Sequence, residues 1–99
     1  MGNTDYRAEK ERAYAYLDAI ADRIYGDADT VRGTPELGFR EEKTSAFVEE
    51  RMRALGLYNV RRVALTGVAA ELFPPRDGEE RVCVIGELDA VLTPDCPHA

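Results

Sequence analysis

Apolar residues recur at helical spacing along the first third of the chain. Leu17, Ile20, Ala21, Ile24, Ala28 and Val31 recur at spacings of three and four, with Ile20 and Ala21 side by side and Tyr14 and Tyr25 flanking the stripe. Glu9, Glu11, Arg12, Asp18, Asp22 and Arg23 occupy the other face. This pattern predicts an amphipathic helix over about residues 5–31. Thr4 or Asp5 offers a side-chain oxygen to cap its start. A glycine costs about 1 kcal/mol inside a helix, so Gly26 is the expected place for a break or bend.

The periodicity stops at Arg32-Gly-Thr-Pro-Glu-Leu-Gly-Phe39, where Gly33, Pro35 and Gly38 predict a turn. Proline biases the residue before it towards an extended backbone, here Thr34. Leu37 and Phe39 are expected to pin this turn onto a core. A second helix follows over about residues 41–55, with Phe47, Val48, Met52 and Leu55 as its apolar stripe and Thr44 in line. Glu41 and Glu42 stand in its first turn and Arg51 and Arg53 in its last turns, each sign where the helix dipole favours it. Gly56 is the expected stop.

From Tyr58 the pattern shifts to alternation and β-branched content. Strands are expected at about 60–65, 68–73 and 81–87, separated by the Thr66-Gly67 turn and by the Pro74-Pro75-Arg76-Asp77-Gly78 loop. The run Val82-Cys83-Val84-Ile85 is continuously apolar, the signature of a strand buried on both faces. The expected fold class is α/β, with two N-terminal helices followed by a three-stranded sheet. Two helices cover one face of such a sheet. The other face calls for a second copy or for more of a larger domain.

Length and charge narrow the function. The 99 residues make one domain's worth of chain, with 44% apolar and 32% charged residues. Thirteen basic against nineteen acidic residues give a net charge of −6, and the basic residues are dispersed. Nucleic acid and anionic membrane surfaces are therefore not expected partners. The two cysteines do not make a disulfide framework. Met1 to Arg12 is polar and charged rather than leader-like, and no apolar run approaches membrane-spanning length, so a cytoplasmic location is expected.

Several short pieces, taken in order, resemble one family. These are Pro35-Glu36-Leu37-Gly38-Phe39, then Glu41 or Glu42 with Thr44 and Ser45, then Leu55-Gly56-Leu57, Thr66-Gly67-Val68 and Gly86-Glu87-Leu88-Asp89-Ala90. The order resembles the start of the zinc-dependent metallopeptidase and amidohydrolase family, which includes aminoacylases, hippurate hydrolases and aminobenzoyl-glutamate hydrolases. The likeness is to its amidohydrolase branch and covers nearly the whole chain. It implies the first part of a zinc-exopeptidase-like α/β/α catalytic domain. The implied parent is a metal-dependent hydrolase of N-acyl or aryl amides of amino acids, with a divalent metal such as zinc as cofactor. Family members are several times longer. Their first metal ligands in this branch come from a Cys-Gly-His motif soon after the acidic strand end, and no Cys-Gly-His occurs in these 99 residues. Thr34 stands where relatives often carry histidine.

On this resemblance Asp89 matches an aspartate that orients a zinc-bound histidine, a role that fixes the imidazole tautomer and raises ligand basicity. Read without it, Asp89 is a carboxylate capping a turn after a strand. Glu87 matches a first-ligand position in the peptidase branch and a supporting position in the amidohydrolase branch. Its plain reading is an acid at a strand end beside an arginine. Cys96 and His98 are both good zinc-ligand types, but a pair at this spacing chelates weakly, and they read as loop residues rather than a metal site. Cys83 reads as a small hydrophobe. Glu36, Glu41 and Glu42 read as helix-start acids rather than a catalytic pair. Tyr6, Tyr14, Tyr16 and Tyr25 read as core edge or interface. Two functions stay open: the inactive N-terminal part of a metal-dependent amidohydrolase, or a non-catalytic α/β module that pairs with another copy or with the missing part of its domain.

Overall fold

The computed structural model describes residues 5–91. The chain is α/β, with three helices followed by a two-stranded antiparallel sheet. It divides between Gly33 and Thr34 into two compact units.

The first unit carries helices α1 (Arg7–Ala19) and α2 (Ala21–Arg32). The single long helix expected here is thus two, and the break falls at Ile20 rather than Gly26. Ile20 takes φ −110° and ψ 13°, and its N–H is shared between the carbonyls of Tyr16 and Leu17, the ending of a helix turn. Gly26 stays helical, and the Thr30 hydroxyl donates to its carbonyl at 3.0 Å. The Asp5 carboxylate accepts the Arg7 N–H at 2.9 Å, as a capping side chain would. Ile20, Ala21 and Val31 of the apolar stripe are half-buried, while Leu17 and Ile24 are exposed, as are Tyr6, Tyr14, Tyr16 and Tyr25.

The second unit contains α3 (Glu42–Ala54), β1 (Tyr58–Val63) and β2 (Gly67–Glu71). Helix α3 ends as its sequence predicts, with the Gly56 N–H on the Arg53 carbonyl and Gly56 at φ +74°. Phe47, Val48 and Met52 are half-buried and Leu55 is exposed. The Arg51 guanidinium lies 5.1 Å from the Phe47 ring centroid, within cation–π range. A four-membered link ties helix to hairpin: Glu49 accepts from Arg53 at 2.9 Å and from Arg62 at 2.7 Å, and Arg53 also reaches the Val60 carbonyl at 3.4 Å.

The hairpin pairs Arg61 with Ala69, Arg62 with Val68 and Val63 with Gly67, and an irregularity lies between Tyr58 and Arg61, where Asn59 takes φ 54°. Ala64 and Leu65 turn the chain with φ 49° and 71°. Gly67 is required by close approach. A Cβ there would meet the Val63 carbonyl oxygen at 2.7 Å, and backbone cannot yield as a flexible side chain would. Gly67→Ala is therefore expected to cost about 1–3 kcal/mol, read as a lowered urea midpoint at unchanged slope. Stability equal to the parent would contradict this packing.

Two expectations are corrected. The strand foreseen at 81–87 joins no sheet among the described residues; 81–87 runs without turn or bend, and Val82, Cys83, Val84 and Ile85 are exposed rather than buried on two faces. A strand needs a ladder partner as well as the right residues, and no described segment forms a ladder with this one. Leu37 and Phe39 are likewise exposed, so apolar contact does not hold their turn. Indeed no apolar side chain among the described residues is fully buried; the buried residues are Glu41, Thr44 and Ser45. Among the described residues, no helix is long and apolar enough to cross a membrane.

Candidate functional site

The best-ordered chemistry in the second unit lies where the 34–41 turn meets the start of α3. Glu36 reaches past the turn to the N-terminus of α3. Its Oε1 accepts the Thr44 N–H and the Thr44 hydroxyl, both at 2.7 Å, and its Oε2 accepts the Lys43 N–H at 3.1 Å. A helix start leaves its first N–H groups without partners inside the helix. A carboxylate satisfies them and meets the positive end of the dipole. Here that carboxylate comes from outside the helix, seven and eight residues upstream. The turn itself closes through the Arg40 N–H on the Leu37 carbonyl at 2.9 Å, with Phe39 at φ 62°.

A second set of bonds joins α3 to the hairpin turn. The Thr66 hydroxyl donates to Glu41 Oε2, and the Ser45 hydroxyl donates to the Thr66 carbonyl. Ser45 is 0% exposed and Glu41 6%. Buried polar atoms are costly unless bonded, and no fully buried side-chain polar atom among the described residues lacks a partner. This small polar cluster fixes the angle between helix and hairpin, a task usually given to apolar packing.

The acidic segment closes on the same turn. The Ala90 N–H donates to the Glu36 carbonyl at 2.8 Å. Asp89 Oδ2 and Glu41 Oε1 each lie 3.8 Å from the point where a Cβ on Gly38 would stand. Both carboxylates thus stand around the side-chain-free Gly38 of the turn. Asp89 is exposed, and so is Glu87. Among the described residues no three His, Cys, Asp or Glu side chains gather as a metal shell would require. Cys96 and His98 lie outside the described residues.

No family model matches this sequence, and no curated protein or solved structure matches it.

Of the residues singled out in the sequence, the structure brings Asp89 to the Pro35–Phe39 turn and leaves Glu87 in solvent. Glu36 and Glu41 are bonded structural acids: Glu36 holds Lys43 and Thr44 in the first turn of α3, and Glu41 accepts from Thr66 at the hairpin turn. Sequence reading missed the roles of Glu36, Glu41, Ser45 and Thr66 as one cluster. The available signal was a serine and a threonine on the buried side of an otherwise apolar helix stripe, since polar residues there need partners.

Two carboxylates in this unit are held below their ordinary range. Glu36 is lowered first by the Thr44 N–H, then by the Thr44 hydroxyl and by Lys43, against a smaller opposing effect of desolvation. Glu49 is lowered by its bonds from Arg53 and Arg62. With the unfolded value near 4.5, the unfolded chain binds more protons on acidification. The stabilisation is therefore complete above that pH and is lost as pH falls through the folded values. Urea midpoints measured from pH 6 downwards should decline below about pH 4.5. Glu36→Gln with Glu49→Gln should flatten that decline, whereas an unchanged slope would contradict the assignment.

Proposed function

We propose that the chain is the N-terminal part of a metal-dependent amidohydrolase of the zinc metallopeptidase family, acting on N-acyl or aryl amides of amino acids. One observation carries this reading. Four of the five family-like pieces meet near the N-terminal end of α3, while Leu55-Gly56-Leu57 ends that helix: Glu36 of Pro-Glu-Leu-Gly-Phe bonds Thr44, Glu41 and Ser45 bond Thr66, and Ala90 and Asp89 close against the same turn.

On this reading residues 81–87 are the third strand of a larger α/β/α sheet. The Arg81 guanidinium, 3.9 Å from the Glu71 carboxylate, sets the start of that segment beside the end of β2. A divalent metal, zinc in the first instance, would polarise the amide carbonyl and activate water in the parent enzyme. The described residues do not fit a metal shell by themselves, so its ligands would come from elsewhere in the polypeptide. Asp89 would act as a positioning residue, accepting the N–H of a ligating imidazole and fixing its tautomer. Glu87 would lend further negative charge beside it. The 99-residue chain by itself would be inactive, and its setting cytoplasmic.

The coding sequence tests this directly. The reading frame is expected to continue past codon 99 and to encode Cys-Gly-His within the next few tens of residues. A stop codon at that point, or a long open frame without the motif, would overturn the proposal.

A further inference from the structure

Residues 81–87 read Arg-Val-Cys-Val-Ile-Gly-Glu. The run has no turn or bend, and no backbone hydrogen bond joins it to another described segment. Val82, Val84 and Ile85 are 94%, 93% and 84% exposed. Yet the run is tethered at both ends, by the Arg81–Glu71 ion pair and by the Ala90 N–H on the Glu36 carbonyl. An unpaired, apolar and anchored stretch of backbone is a template for another strand.

We propose that a second copy of the same run occupies this edge, paired antiparallel about a two-fold axis through Val84. Charge selects the partner and the register. Arg81 and Glu87 are the only charged residues of the run, one at each end. With the axis at Val84, Arg81 faces the partner's Glu87 and Glu87 faces the partner's Arg81. Val82 then faces the partner's Gly86, Cys83 the partner's Ile85, and Val84 its own counterpart. Opposite charges placed directly across an antiparallel pair are favourable, and like charges are not. Parallel pairing in register sets arginine beside arginine and glutamate beside glutamate. Moving the axis to Ile85 sets Arg81 against the partner's Asp89 but Glu87 against the partner's Cys83, which leaves that carboxylate on an apolar neighbour. The Val84 register satisfies both charges and gives a closed, isologous contact. The pairing belongs to the 99-residue chain in solution and does not depend on the amidohydrolase reading.

Disulfide trapping and charge exchange test it. Residues facing each other across an antiparallel pair have Cα atoms about 4.5–5.5 Å apart, within disulfide reach. In a Cys83→Ser, Cys96→Ser background, Val84→Cys is expected to give a covalent dimer under mild oxidation. Val82→Cys, displaced along the strand from its counterpart, should give little. Without crosslinking, Glu87→Arg should weaken dimerisation about tenfold in sedimentation equilibrium, whereas Glu87→Asp, which keeps the charge and leaves the Arg81–Glu71 tether untouched, should stay near the parent. Helical circular dichroism unchanged across the set keeps loss of folding apart from loss of pairing. Equal trapping at positions 82 and 84, or a Glu87→Arg chain that dimerises as the parent does, would overturn the register. A chain that remains monomeric at all concentrations would overturn the proposal. Hydrogen exchange then separates a run covered within its own chain, which is protected, from one awaiting a different partner, which is not.

Discussion

Ser45→Leu is expected to unfold the helix–hairpin unit or to destabilise it more than any other single change in the chain. Ser45 is 0% exposed, and its hydroxyl donates to the Thr66 carbonyl at the hairpin turn. Leucine at this site acts twice. It forces bulk into a fully buried position, which costs about 1–3 kcal/mol in well-packed sites. It also leaves a carbonyl without its donor, a loss of about 1–3 kcal/mol where that group stays buried. Few small units have stability to spare for both, since whole domains hold only about 5–15 kcal/mol. Ser45→Ala isolates the second effect and should fall between the parent and Ser45→Leu. Thr66→Val removes the hydroxyl that Glu41 accepts, and should destabilise by a similar amount to Ser45→Ala. Urea denaturation followed by circular dichroism reads all three variants. A Ser45→Leu variant as stable as the parent would show that helix and hairpin are not joined through this cluster.

Asp89→Asn carries the largest expected functional effect. Asp89 is exposed and stands beside Gly38 at the turn, so its replacement should leave stability within a few tenths of a kcal/mol. In the metal-loaded enzyme proposed above, the amide could still accept a hydrogen bond but would bring no negative charge to the N–H of an imidazole ligand. Loss of such a supporting carboxylate typically costs about 10–100-fold in metal affinity or activity. The loss should appear in kcat and in metal retention, with little change in KM. Glu87→Gln, further from the turn, should lower activity less. An Asp89→Asn enzyme with full activity and undiminished metal retention would remove Asp89 from the site.

The helices were legible because their stripes are local: α3 and its Gly56 stop follow from spacing alone. The break at Ile20 was not, because Gly26 is the weaker helix former by propensity, yet its carbonyl gains the Thr30 hydroxyl and the helix runs on through it. The hairpin was legible in outline, although its turn falls at residues 64–66 rather than at Thr66-Gly67, β1 is Tyr58–Val63 rather than 60–65, and β2 ends at Glu71 with Leu72 and Phe73 exposed. The run 81–87 has strand composition, but composition says nothing of whether a neighbour is present to pair with it. The polar cluster was the least legible part. Glu41 and Thr66 stand 25 residues apart and Ser45 and Thr66 21, and neither separation leaves a periodic trace. Glu36 looked like a helix-start acid and is one, but at a distance that only the turn's path makes possible. Asp89 was picked out by its place in an ordered set of short pieces, and the structure sets it against another member of that set.

The most direct measurement is hydrolysis of N-acyl amino acids by the polypeptide of the continuous reading frame, purified and supplied with zinc or manganese. Metal-dependent release of the free amino acid, abolished by a chelator and restored by the ion, is the expected result, with no turnover by residues 1–99 alone. A metal-loaded polypeptide that hydrolyses no N-acyl or aryl amide, or turnover by the 99-residue chain by itself, would contradict the account.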